Sequence, residues 1–230
     1  LYGDISTINQ KYGTLYSSVD AITMPGEFSK SAIFYDWICF NEDMLTEWNA
    51  WMASIIKEYT SKPVHCKIMS YMIPSENDDR KELTFGVDAE KFDTFSDYAG
   101  NDATSSIGHT PTLTTKMMWY DYLSSVTGKP IYNSEDHFIS DGSTTYSEEQ
   151  KNTVRYNLWQ GAIHGRTMST MWVWARTYDS GSDLANSILT RPDCLAEAGY
   201  TSYDMMRNAD DITKLSSQKP EVALFYSKTS

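Results

Sequence analysis

Lys129-Pro130-Ile131-Tyr132-Asn133-Ser134-Glu135-Asp136-His137 is the stretch on which the reading of this chain turns. A Lys-Pro pair stops whatever precedes it and launches an extended segment. The run Ile131 to Ser134 then reads as a short strand that ends in a polar cluster, Glu135-Asp136-His137. In front of it, Leu113, Met117, Tyr120 and Leu123 recur at helical spacing within about 112–126, and Gly128-Lys129-Pro130 closes that helix. Behind it, Ser147 and Gln150 form a capping-box signature for a helix to about His164. A helix, a short strand ending in charge, and another helix make a crossover unit of a parallel sheet.

The same alternation extends outward in both directions. Ile5 to Tyr16 reads as a short helix broken at Gly13-Thr14, and 17–34 as a loop around Met24-Pro25-Gly26. A long helix follows over about 35–59, with an apolar stripe of Phe40, Met44, Trp48, Met52, Ile55, Ile56 and Tyr59. Lys62-Pro63 ends it and opens a strand, Val64 to Met69. Residues 75–81 form a charged excursion, Phe92 to Tyr98 a further strand, and Gly100-Asn101-Asp102 a loop. Downstream, Thr167 to Trp174 reads as a strand and Arg176 to Pro192 as a polar loop. Ser202 to Leu215 is then a helix, and Glu221 to Tyr226 a last strand. About four βα units are countable, half of what a closed (β/α)8 barrel needs. The expected class is therefore α/β, a partial TIM barrel over 1–218 comprising about the last four βα units. The first strand of a second α/β domain lies in 219–230.

Composition narrows the function classes. With 19 Lys and Arg against 31 Asp and Glu, the net charge of −12 cannot neutralise a run of phosphates, so nucleic acid is not expected as a partner. No apolar run approaches the roughly 18 residues of a membrane helix. Cys39, Cys66 and Cys194 are widely spaced, without CxxC, which argues against a zinc knot and leaves room for at most one disulfide. Sixteen Tyr and seven Trp are an excess that suits the apolar faces of sugar rings as well as a core. The chain opens Leu1-Tyr2-Gly3-Asp4, without Met, basic region or apolar run. It is thus expected to carry no signal peptide of its own and to be a piece of something longer. The compartment stays open.

In parallel α/β folds, chemistry gathers where strands end. Glu135 is the strongest candidate, because a strand that finishes in a carboxylate delivers it rigidly to the mouth of a barrel, as a glycosidase nucleophile requires. The alternative is a loop carboxylate that caps the next element. His137 can line the same site. Asn133, Lys67, Asp97, Asn101 and Asp102 lie at or near predicted strand ends and can hydrogen-bond sugar hydroxyls, or serve only as surface. Trp172 and Trp174 share a face of a regular strand, one facing inward. His65 sits on an alternating strand where packing and ligation fit equally, His109 in a loop, and His164 at a helix C-terminus, which favours a cation. A metal site from His65, His137 and Asp97 has no supporting ligand spacing, so neither metal nor cofactor is expected.

These residues carry a resemblance. Lys129 to His137 resembles the seventh strand of clan A glycoside hydrolases. Trp159 to Gly165 followed by Met171 to Arg176 resembles the helix and eighth strand beyond it. The nearest family is glycoside hydrolase family 42, the bacterial β-galactosidases. In it, segments like Tyr2 to Thr14 and Ser18 to Asp20 follow the fourth strand, and Pro220 to Ser227 resembles the start of a second, trimer-forming domain. The zinc-binding cysteine cluster of some members has no counterpart. The resemblance implies a retaining β-glycosidase acting on an oligo- or polysaccharide, with Glu135 as nucleophile, Trp174 as a sugar-stacking platform, and a homotrimer in the full-length protein.

Clan A enzymes place the acid/base in an Asn-Glu pair at the end of strand four, and this chain has Asn41-Glu42. That pair falls inside the long helix. At roughly 100° per residue, Glu42 lies opposite the apolar stripe and should face solvent. The acid/base is therefore expected upstream of residue 1. The rival classes are a carbohydrate-binding or scaffold protein on a degenerate barrel, and a metal-dependent hydrolase.

Overall fold

Asp4 and Gly13 delimit the first helix, α1 (Ile5–Tyr12): the Asp4 carboxylate accepts the Thr7 N–H at 2.8 Å, and Gly13 closes it at φ +67. The computed structural model describes residues 2–27, 29–68, 86–102, 113–137, 148–175 and 187–227. The chain divides into two compact units, Leu1–Asn101 and Asp102–Ser230. No helix among the described residues is long and apolar enough to cross a membrane.

In the first unit, α1 is tied to the long helix α2 (Ala32–Tyr59) by two phenols. Tyr2 and Tyr12 both donate to Asp36 Oδ2, at 2.7 and 2.8 Å. Burial, then this hydrogen bond, pushes the Tyr12 pKa up to about 12, so it remains a donor. The helix is where expected, but its orientation is reversed. Its buried residues are Phe34, Ile38, Glu42 and Ala53, the first three at i, i+4 and i+8. The predicted core stripe faces out, from Phe40 through Trp48 to Tyr59, the last 84% exposed. Glu42, expected in solvent, is only 4% exposed and pairs with Lys91 at 3.5 Å. Hydrophobic spacing reports that a face exists, and α2 carries apolar residues on more than one.

Of the strand expected over 64–69, Met69 lies outside the described residues, and the described residues 64–68 belong to no helix or strand. Asp97 holds them, its backbone N–H donating to Val64 O at 2.8 Å and its carboxylate accepting from Val64 N and Lys57 Nζ. The strand expected over 92–98 is also displaced. Asp88 caps a short helix, α3 (Ala89–Asp93), by accepting from the N–H groups of Glu90 and Lys91, and β1 covers Ala99–Asn101. Within this unit Gly100 is obligatory, since a Cβ there would sit 1.6 Å from the His65 ring. The charged excursion of 75–81 and His109 lie outside the described residues.

The second unit contains the alternation that the sequence implied: α4 (Leu113–Thr127), β2 (Ile131–Asp136), α5 (Glu148–Ile163), β3 (Arg166–Met171), α6 (Pro192–Arg207) and α7 (Ala209–Ser216). β2 and β3 run parallel, with Ile131 opposite Arg166 and Asp136 opposite Met171. α6 begins ten residues before the expected Ser202, because Pro192 supplies its N1 position, and Asn208 separates it from α7. β3 ends at Met171, three residues short of Trp174. The expected strand over 221–226 is irregular, with Leu224 and Phe225 exposed and Tyr226 packed on Tyr122 at 5.3 Å. Ser147, half of the capping box, lies outside the described residues.

Val154, Leu158, Ile188, Cys194 and Ala198 form one core cluster, in which α5 and α6 face each other. Met117, Tyr120 and Leu123 are buried on α4, as their spacing predicts, together with Trp119. The three cysteines are free thiols, so the one allowed disulfide is absent.

On the same face of α4, one turn before Tyr120, lies Lys116, which is completely buried. Its ammonium and the Arg166 guanidinium both bond Asp136, whose Oδ2 also accepts from Ser169 Oγ at 2.6 Å. Arg166 Nη2 donates to Leu158 O at 3.1 Å, and Lys116 Nζ reaches Asn157 Oδ1 at 3.5 Å. Gly161 makes room for the guanidinium, since a Cβ there would come within 2.7 Å of Arg166 Cζ. Burial by itself would raise the pKa of Asp136. The charges of Lys116 and Arg166, with the hydrogen bonds from Lys116 and Ser169, outweigh it and hold the carboxyl below the usual range.

Asp136→Asn should therefore destabilise the protein by about 3–5 kcal/mol in denaturant unfolding, since two buried cations lose their anion. Asp121→Asn, which breaks the exposed pair with His164 Nδ1 (2.7 Å), should cost under about 1 kcal/mol. Because the folded pKa of Asp136 is depressed, the native state binds fewer protons than the unfolded chain near and just below pH 4. Its stabilisation is complete above about pH 4 and is lost as pH falls through the depressed value. Acid titrations of unfolding should show a steep loss below about pH 4 that is shallower in Asp136→Asn.

Candidate active site

β2 does not alternate regularly, and the irregularity distributes its polar side chains. Between the pairs Asn133–Ser169 and Asp136–Met171, β2 advances three residues while β3 advances two. An extra residue of this kind re-aims side chains beside functional sites. As a result neighbouring carboxylates have different partners: Asp136 is sealed among Lys116, Arg166 and Ser169, whereas Glu135 keeps 15% of its side chain accessible.

Asn133 and His137 hold Glu135. Its backbone N–H donates to Asn133 Oδ1 at 3.2 Å. The Asn133 amide is oriented by a 2.8 Å bond from Nδ2 to the hydroxyl of buried Tyr120, whose pKa is raised by burial and then by the charge of Asp136. Glu135 Oε1 lies 3.0 Å from His137 Nε2. The His137 ring is 1% exposed and lies against the Trp172 indole, with centroids 5.6 Å apart. Trp172 donates its backbone N–H to Asp136 O at 3.1 Å, so the turn after β3 is pinned to the end of β2.

Asp102, Glu135 and His137 each bring one ligand atom to within 4.8 Å of the others, and Asp102 and His137 are buried. A carboxylate, a second carboxylate and an imidazole are groups that can hold a divalent cation. This trio does not include His65 or Asp97 from the sequence-derived metal set.

The sequence-derived residues sort accordingly. Glu135, His137 and Asn133 come together on β2 and its end, but Asn133 is fully buried beneath Glu135. Trp174 lies in the turn beyond β3 and is 56% exposed. The expectation that Trp172 and Trp174 share a strand face lapses, because the strand has ended by then. Lys67 is exposed on the 63–68 segment of the first unit, where the carboxylate of Asp97 is engaged by Val64 and Lys57. His164 lies just beyond the end of α5, as expected, and contacts Asp121. Lys116, Arg166 and Tyr120 were missed: a charged residue at a core-facing helical position, such as Lys116 between Leu113 and Tyr120, was the available signal.

Set against known proteins, the family model described as the glycoside hydrolase family 42 beta-galactosidase matches residues 1–209. No curated protein matches the chain. Among solved structures, the chain is similar to the apo exo-carrageenase of that family from Bacteroides ovatus, at 26% identity and a TM-score of 0.80. The similarity covers 99% of this chain and 33% of that one, so the chain spans about a third of the length of that relative. With the family model matching most of its residues, and with a parallel α/β core whose strand ends in a partly open carboxylate, the chain belongs to glycoside hydrolase family 42.

Proposed function

We propose that the protein is a retaining β-glycosidase acting on β-galactoside-like bonds, with Glu135 as nucleophile. The observation that carries this reading is the carboxylate of Glu135, partly open at the C-terminal end of a parallel strand and held at its backbone and at Oε1. Attack at the anomeric carbon forms a covalent glycosyl-enzyme as the leaving oxygen takes a proton from a second carboxylic acid. Water then releases the sugar and returns the proton to that acid/base. No cofactor enters this chemistry. Exposed Trp174 offers the aromatic face against which a pyranose stacks. Lys67 and Asp97 remain proposals for sugar contact, Asp97 only by exchanging its present partners.

The acid/base, in this reading, lies outside residues 1–230. Within them the only Asn-Glu pair sits in mid-helix, with Glu42 buried against Lys91. Residues 1–218 form the latter part of a (β/α)8 barrel, and 219–230 lead into a following domain. Support comes from α2, whose outward row of Phe40, Met44, Trp48, Trp51 and Tyr59 is more apolar surface than a finished soluble domain leaves open. Partner polypeptide that completes the barrel would cover it, and a trimer is proposed for the whole protein.

In the full-length protein, Glu135→Gln should lower turnover of an aryl β-galactoside by several orders of magnitude with the melting temperature little changed. A 2-fluoro glycoside inactivator should label Glu135, read by peptide mass spectrometry. Absence of any label would favour the non-catalytic carbohydrate-binding alternative. A panel including carrageenan oligosaccharides would separate galactoside specificity from that of the Bacteroides relative. Trp174→Ala should weaken binding by on the order of 1 kcal/mol with little effect on melting, compared by titration and thermal melt. The Asp102, Glu135 and His137 trio is the one feature that favours a metal-dependent hydrolase. Turnover that persists in EDTA would exclude that reading.

A further inference from the structure

A glutamate nucleophile has three rotatable side-chain bonds, and a displacement of about 1 Å from the attack geometry costs on the order of 100-fold in rate. The main chain of Glu135 is fixed by Asn133, but that bond does not determine where the carboxylate lies. His137 does, through Nε2 at 3.0 Å from Oε1. Its own ring is immobilised, being 1% exposed and packed at 31° against Trp172. Asp102 adds a constraint, because its carboxylate lies within 4.8 Å of the Glu135 and His137 ligand atoms. Two carboxylates so close repel, and a swing of Glu135 towards Asp102 is opposed.

We propose that His137 is a positioning residue for the nucleophile: its Nε2–H donates to Glu135 Oε1 and, backed by Trp172, holds the carboxylate in the rotamer that attacks. This rests on the assignment of Glu135 above. It differs from sugar contact by His137, because a bond to the enzyme's own nucleophile acts on the glycosylation step and hardly on ground-state affinity.

The test uses the full-length protein with His137→Phe, His137→Asn and His137→Gln. Measurements are kcat and KM on an aryl β-galactoside, the rate of inactivation by the 2-fluoro glycoside, and the melting temperature. His137→Phe and His137→Asn, which lack a donor of the right reach, should lower kcat and the inactivation rate together by about 10–100-fold, with KM little changed. His137→Gln places an amide N–H near the Nε2 position and should recover most of the loss. If His137→Phe fails to melt as a folded protein, the Asn and Gln pair carries the comparison. A substrate with a better leaving group, which needs little protonation, should leave the deficit in place.

Three results overturn the proposal: Glu135 labelled at the same rate in all variants, KM rising at constant kcat, or activity restored by the better leaving group, which would make His137 an acid. An unlabelled Glu135 in the unmodified protein overturns the nucleophile assignment itself, and is thereby distinguished from a labelled Glu135 whose rate ignores residue 137.

Discussion

The second unit is organised around one anion between two buried cations. Asp136 receives Lys116 from α4 and Arg166 from the start of β3, and its own strand is β2, so a single carboxylate joins three elements. Burying such charges is expensive, and a well-packed apolar trio can be as stable. What the ions add is registry. An apolar contact tolerates sliding, whereas a carboxylate with donors from Lys116, Arg166 and Ser169 is satisfied in one alignment of α4, β2 and β3. The surroundings conform to it: Gly161 is small where the guanidinium passes, and Leu158 O and Asn157 take up donors left over by the pair.

That registry matters because Glu135 is the next residue. The uneven advance of β2 past β3 puts one carboxylate into the ion cluster and leaves its neighbour at the opening. Adjacent acids thereby take separate tasks, one held below the usual carboxylate range and inaccessible, the other held by Asn133 and His137 yet reachable. If Glu135 is the nucleophile proposed above, the rigidity that role requires comes from Asp136, Tyr120 and Trp172, none of which needs to touch substrate.

The first unit is the opposite case. Its helix α2 is firmly built, with Ser31 accepting the Phe34 N–H at its start and phenols bonded to Asp36, but most of its large side chains, from Phe40 to Tyr59, are exposed. Its inward face mixes Phe34, Ile38 and Ala53 with Glu42, which pairs with Lys91, and a Cβ on Gly86 would come within 3.2 Å of the Asn41 carbonyl oxygen.

Local chemistry made much of this legible from sequence. The extents of α1, α2, α4 and α5, the parallel class and the strand-end position of Glu135 follow from caps, prolines and 3.6-residue spacing, which act over a turn or two of chain. The early start of α6 at Pro192 was a local signal of the same kind and was passed over. Other features depended on partners distant in sequence. Which face of α2 is buried, the irregular 63–68 segment held by Asp97, and the exposure of Trp174 are decided by what packs alongside. The ion cluster brings residues 116, 136 and 166 together, and Asp102 meets Glu135 and His137 across more than thirty positions. Sequence determined which side chains could do chemistry; only the tertiary fold decided that Asp136 would be walled in and Glu135 left open, because a one-residue slip in strand pairing reverses their surroundings.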